Sequence, residues 1–134
     1  MINTYIIGSI EQLKQEFKGE NMMVSYFEDE VLAFNAIEET KPSVVLVDYA
    51  LRKAETDSYI KLLLAVSKES KIIVIANELN DDEILNCLIA GAKGYQNTAQ
   101  LKDLVVKMIT VVDAGEAWLT RRTVAKLLNI IVQK

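Results

Sequence analysis

The segment Ser43-Val44-Val45-Leu46-Val47-Asp48 constrains this chain more than any other. Four apolar residues in succession, three of them valine, leave no polar side to face water. Such a run reads as a strand buried on both faces. It ends on a carboxylate. In open α/β sheets the carboxyl ends of the strands are where ligands and chemistry collect. Asp48 is therefore the first candidate functional residue. A second run of the same kind, Ile72-Ile73-Val74-Ile75, lies within Lys71 to Ala76.

The rest of the chain alternates strand and helix around these two runs. Ile2 to Ile7 is a short apolar strand. Ser9 with Gln12 three residues on reads as a capping box, opening a helix with Ile10, Leu13 and Phe17 at helical spacing. Gly19 to Asn21 break it, and Met22 to Phe27 is a second strand. Glu30 to Glu39 is a helix with Val31, Phe34 and Ile37 on one face, stopped by Pro42. After Asp48, Leu51 to Ser58 reads as a polar loop. Tyr59 to Ser67 is a third helix bearing Ile60, Leu63 and Leu64. Asn80 caps a fourth, with Glu83 as its box partner and acids in the first turn, where the helix dipole favours them. Gly91 to Gly94 ends it, and Gly94 to Gln96 is a short fifth strand. Thr98 reads as the cap of a fifth helix carrying Leu101, Leu104, Val105, Met108, Ile109 and Val112.

Strands alternating with helices of about ten residues imply a parallel sheet covered on both sides by right-handed crossovers. Five such units suggest the flavodoxin-like, doubly wound order 2-1-3-4-5. Asp48 then lies beside the end of the first strand, at the topological switch point. Residues 1–113 form this unit. Residues 114–134 are a linker and a surplus helix: a turn at Asp113 to Glu116, Trp118-Leu119, then Thr120 as cap. Its apolar stripe is Val124, Leu127, Leu128 and Ile131. That helix either packs on its own domain or joins a following domain or a second subunit.

Composition removes several classes of function. The 134 residues fit one domain with a single core, and a formal net charge of −4 gives no basic footprint for nucleic acid or anionic membrane. The absence of histidine excludes Ser-His and Cys-His catalysis and the commonest metal ligand. The single cysteine, Cys87, cannot form an internal disulfide, which fits a reducing cytoplasm. Its neighbours Ile84, Leu88 and Ile89 mark it as a small apolar residue on a helix face. No stretch is long and apolar enough to read as a membrane span, and the N-terminus does not read as a signal peptide.

Three stretches carry a resemblance: Val44 to Asp48, Ala90-Gly91-Ala92-Lys93-Gly94-Tyr95, and Val111-Val112-Asp113-Ala114-Gly115-Glu116-Ala117-Trp118-Leu119. With the five strand–helix units, the chain resembles a CheY-like response-regulator receiver domain of the LuxR/NarL-type transcription regulators. The second stretch is close to the family's GAxGY strand entry, and the third to the run leading towards its DNA-binding domain. The resemblance implies that Asp48 is the phosphoacceptor and that Tyr95 is the aromatic switch position. It also exposes departures. Where the family carries two adjacent acids that help hold Mg²⁺, this chain reads Gly8-Ser9-Ile10, with no carboxylate before Glu11. The hydroxyl position after the fourth strand falls on Ala76, and the lysine position after the fifth on Thr98.

Those losses have chemical weight. Phosphoryl transfer depends on positioning and charge neutralisation, because the protein supplies little covalent chemistry. Mg²⁺ needs several oxygen ligands, and one carboxylate is a poor cage. With neither a metal nor a lysine, the charge developing on the phosphoryl oxygens has no cationic partner. Three readings follow. The first is a degenerate, non-enzymatic receiver working through protein contacts, with no cofactor expected and Mg²⁺ doubtful. The second is a functional phospho-receiver modified on Asp48. The third is a flavodoxin-like nucleotide binder or enzyme, which needs a phosphate cradle after the first strand, where Gly8 is the sole glycine. The resemblance implies protein partners such as a sensor histidine kinase, contact with DNA only through a domain absent from this chain, and no membrane contact. The surplus of apolar residues on the helix at Thr98 suggests a homodimer through that helix, with Leu127 and Ile131 added by the tail.

Overall fold

The structure is a computed structural model that describes residues 1–10, 13 and 21–132. Five parallel strands, β1 (Ile2–Ile7), β2 (Met22–Phe27), β3 (Val44–Asp48), β4 (Lys71–Ala76) and β5 (Gly94–Asn97), form one sheet. Their order is β2-β1-β3-β4-β5, the flavodoxin-like order expected from the alternation. Among the described residues the α-helices are α1 (Glu30–Thr40), α2 (Thr56–Val66), α3 (Asp81–Ala90), α4 (Thr98–Asp113) and α5 (Arg121–Val132). The capping box expected at Ser9 and Gln12, and the helix running to Phe17, lie largely outside the described residues. Within that stretch Ile10 and Leu13 are buried.

The two-residue period of the strands divides the core in two. Tyr5, Ile7, Val45, Val47, Ile72 and Val74 point to one face and pack with Ala33, Ile37, Ile60 and Leu63 of α1 and α2, and with Cys87 of α3. Ile6, Val44, Leu46, Ile73 and Ile75 point to the other and pack with Ile10, Leu13 and α4. Each aliphatic side chain so removed from water contributes roughly 1.5–3 kcal/mol before entropy is counted. The burial also pushes the Cys87 thiol up to about 11, first through desolvation and then through Asp57 and Glu83. Cys87 is thus a protonated core residue.

Local chemistry sets the helix ends, with several departures from expectation. Asp29 caps α1 by accepting from Val31 and Leu32 amides at 2.8 and 3.0 Å. Its buried face is Ala33 and Ile37, with Phe34 half-buried, whereas Val31 is 65% exposed. The expected Val31 seam is thus displaced to Ala33 and Ile37, the side of the helix that meets the core. The polar stretch after Asp48 is not a plain loop. It forms two short 3-10 turns, Tyr49–Leu51 and Lys53–Glu55, and α2 begins at Thr56. At α3 both halves of the capping box are made: the Glu83 amide donates to Asn80 Oδ1 at 2.8 Å, and the Asn80 amide to Glu83 Oε1 at 3.0 Å. At α4 the cap is Asn97, not Thr98; its Oδ1 accepts from the Gln100 amide at 3.1 Å.

The apolar surplus of α4 is consumed within the chain. Leu101, Val105, Met108, Ile109 and Val112 are all buried against the sheet, and Leu104 is half-buried. The two expected lines merge into one wide stripe, so no large apolar side chain of α4 is exposed. The exposed apolar residues of this end of the chain are Val124, Leu128, Ile131 and Val132 on α5. Among the described residues no helix is long and apolar enough to cross a membrane.

Trp118 is fixed to the sheet. Its amide donates to the Lys93 carbonyl at 2.9 Å, its carbonyl accepts from the Tyr95 amide at 3.2 Å, and its indole N–H donates to Gln96 Oε1 at 2.9 Å. The segment thus pairs with the outer side of β5 and satisfies part of an edge that would otherwise be open. Gly94 permits the approach: a Cβ there would stand 2.5 Å from the Trp118 carbonyl oxygen. We expect Gly94→Ala to destabilise the protein by about 1–3 kcal/mol through overpacking against backbone that has nowhere to move. Trp118 is the single tryptophan, so its emission reads the docking directly. An unshifted emission maximum and unchanged urea midpoint in the variant would contradict this account.

Candidate functional site

The carboxyl ends of β1, β3, β4 and β5 bring together Gly8, Asp48, Ala76 with Asn77, and Thr98. Asp48 closes β3 in register with Ile75 of β4, half-buried at the sheet end. Its Oδ1 accepts from the Ala50 amide at 3.0 Å and so caps the first 3-10 turn. The residue that family resemblance marks as phosphoacceptor thus has a local structural task.

Gly8 sits directly against it. A Cβ on Gly8 would stand 2.3 Å from Asp48 Cβ and 2.9 Å from Asp48 Oδ2, and Gly8 has φ +121°. An L side chain rarely adopts that φ. With this backbone, any side chain at the first position of the expected acid pair, a carboxylate included, would be strained and would press on Asp48. The Gly8 amide donates to the Phe27 carbonyl at 2.7 Å, so it is already committed and not turned to a phosphate. Ser9 is exposed, and Ile10 is buried in the core on the α4 side. Glu11 lies outside the described residues. Among the described residues no three Cys, Asp or Glu side chains converge to hold a metal ion.

The β4–α3 loop begins at Asn77 and ends at the capped start of α3. Ala76, at the hydroxyl position, is nearly buried and pairs in register with Asn97. Next to it Asn77 Oδ1 accepts from the Thr98 hydroxyl, which ties the ends of β4 and β5 together. Thr98 stands at the lysine position but spends its hydroxyl on this bond. Tyr95 lies over the same loop, where a Leu79 backbone hydrogen bond favours its ionised form. Burial, with Glu78 and Glu83 nearby, outweighs that and raises its pKa. Tyr49 donates to Glu83 Oε2 at 3.2 Å, while the other oxygen of Glu83 completes the α3 capping box. Burial and then Glu83 push the Tyr49 phenol up to about 12, so it stays a donor at neutral pH.

Sequence reasoning located Asp48, Ala76, Tyr95, Gly8 and Thr98 at this end of the sheet. It missed Asn77, Tyr49 and the double role of Glu83. Asn77 directly follows β4, so a polar residue at that strand end was the signal available; its partner across the strands was not.

No family model matches the chain. An uncharacterized transcriptional regulatory protein, YhcZ, of Bacillus subtilis strain 168 is 34% identical over 64 residues, 48% of this chain and 30% of that protein. The matched stretch is thus under a third of that relative's length. Among solved structures, the isolated REC domain of RcsB from Salmonella enterica serovar Typhimurium superposes with a TM-score of 0.83 at 17% identity, covering 96% of this chain and 99% of that one. A LuxR-family two-component response regulator from Aurantimonas sp. SI85-9A1 gives 0.78 at 15% identity, with 97% of each chain covered. The chain has the flavodoxin-like fold of response-regulator receiver domains.

Proposed function

We propose that this chain is a receiver-type signalling module of a transcription regulator that acts through protein contacts, without the usual Mg²⁺-dependent aspartyl-phosphate switch. The contact between Gly8 and Asp48 carries this reading. In a phosphorylating receiver the acceptor carboxylate needs metal-binding acids beside it and a cation to neutralise the phosphoryl oxygens. Here the nearest backbone fills the place of one acid, and Thr98 occupies the lysine position. The loop that phosphorylation would draw inward is tied to the end of β5 by Asn77–Thr98, and the start of α3 beyond it to the turn after β3 by Tyr49–Glu83. A clamp of this kind supports a module with one standing conformation, read by partners as it is. On this reading the chain is not an enzyme, and DNA contact belongs to another domain. The likeness to a transcriptional regulatory protein supports the assignment to transcription control. Association between copies, expected through α4, loses its apolar basis there; α5 offers the exposed aliphatic residues instead.

A second reading has one observation in its favour. Asp48 is half-buried, not sealed, and one of its oxygens is committed to Ala50. Modification of Asp48 by a small phosphodonor is therefore the discriminating measurement. We expect intact mass to show no added phosphoryl group after incubation with acetyl phosphate and Mg²⁺, and calorimetry to show no saturable Mg²⁺ binding below the millimolar range. A phosphoryl adduct that disappears in Asp48→Asn would overturn the proposal in favour of the phospho-receiver.

Two substitutions probe the site itself. Gly8→Asp, which supplies an acid at the expected position, should cost about 1–3 kcal/mol of stability from backbone strain and the Asp48 contact. It should also fail to create Mg²⁺ binding; a stable variant that binds the ion would show that the backbone at residue 8 yields easily. Asp48→Asn keeps a carbonyl acceptor for the Ala50 amide, so urea denaturation should move by no more than about 0.5 kcal/mol. A loss above about 2 kcal/mol would place Asp48 in a buried charged network instead.

A further inference from the structure

Among the helices of the described residues, α5 is the least embedded. Of its twelve residues only Thr123 is buried, and a helix of about that length is marginal alone in water. It carries Arg121, Arg122 and Lys126 and no acid. Its neighbour is α3. Two of its cations converge on a single atom there: Arg122 Nη2 lies 3.0 Å and Lys126 Nζ 2.5 Å from Asp81 Oδ2. Residues four apart share a helix face, so one acid can receive both. The start of the helix is fixed separately. Thr120 Oγ1 accepts from the Thr123 amide at 3.1 Å as its cap, and two residues earlier Trp118 is bonded to β5.

The helix thus has a firm root and an ionic hold. Exposed ion pairs contribute little individually and weaken with salt. Arg122 is 77% exposed and Lys126 44%. Val124, Leu128 and Ile131 already face solvent, while Leu127 and Ile130 are half-buried on the domain. Few buried contacts and an exposed ionic hold are the marks of an element that opens locally.

We propose that α5 is a detachable clasp on α3, held closed by the pairing of Arg122 and Lys126 with Asp81 and hinged between Trp118 and Arg121. Opening leaves Trp118 on β5. It frees Leu127 and Ile130 to join Leu128 and Ile131 on one apolar helix and bares the first turn of α3. Whatever neutralises or competes for Asp81 opens the clasp. The inference rests on the α5–α3 contact alone and stands apart from the chemistry of Asp48.

Hydrogen–deuterium exchange on the full chain tests it. Amides of Arg121–Val132 should be protected at low salt and exchange at least about fivefold faster in Asp81→Asn, or at about 1 M salt, than in the unaltered protein. β5 and α4 should not change. Asp82→Asn removes an acid from the same first turn of α3 without touching the clasp, and should leave α5 protected. Reversing the charges, Asp81→Lys with Arg122→Glu and Lys126→Glu, should restore protection. The proposal is overturned if α5 is unprotected at low salt, if Asp81→Asn leaves it unchanged, if Asp82→Asn loosens it equally, or if β5 and α4 loosen with it.

Discussion

Burial of β3 on both faces is the constraint from which the remaining architecture follows. Val44 and Leu46 point to one layer of helix and Val45 and Val47 to the other, and all four are fully buried. A strand with no polar side can exist only between two covered faces. Parallel neighbours with helical crossovers supply that cover, and right-handed crossovers then fix which helices lie on which face. With α1, α2 and α3 on one side and α4 on the other, the carboxyl ends of β1, β3 and β4 must meet beside Asp48.

What meets there is largely neutral. Gly8 brings backbone against the Asp48 side chain, and the neighbouring strand ends are joined by neutral hydrogen bonds. Charge neutralisation, which phosphoryl chemistry depends on, has no cationic agent among these residues. The Asn77–Thr98 bond ties the start of the β4–α3 loop to the end of β5. Glu83 shows the economy of this arrangement: one oxygen completes a helix cap and the other holds Tyr49 beside the acid. A helix start and a site neighbour therefore share one side chain.

The outer flank of the sheet is organised by the Trp118 segment. An exposed edge strand invites pairing with other chains, and β5 has Trp118 beside Gly94 instead. This contact converts the tail into part of the domain up to residue 118. Beyond it the cohesion changes character, from backbone pairing to exposed ion pairs at Asp81. The step from one to the other takes four residues, Trp118 to Arg122, and explains why α5 can be a helix and yet remain loosely attached.

The order of elements, the doubly buried strands, the capping box at Asn80 and Glu83 and the place of Asp48 were legible in the sequence, because each depends on residues near one another in the chain. Hydrophobic period and cap chemistry are local. The shift of the α4 cap from Thr98 to Asn97 was not legible, since both residues can accept a helix amide and only the strand end decides between them. Nor was the fate of the α4 aliphatic residues, because the width of a buried stripe depends on the curvature of the sheet beneath it. The sequence determined that residue 8 is a glycine and residue 48 an acid. Only tertiary structure decided that they touch, that Asn77 meets Thr98 across two strands, and that Asp81 receives two cations from a helix forty residues later. Those contacts join elements brought together by packing, and a one-dimensional pattern carries no record of which polar atoms packing will leave within reach of each other.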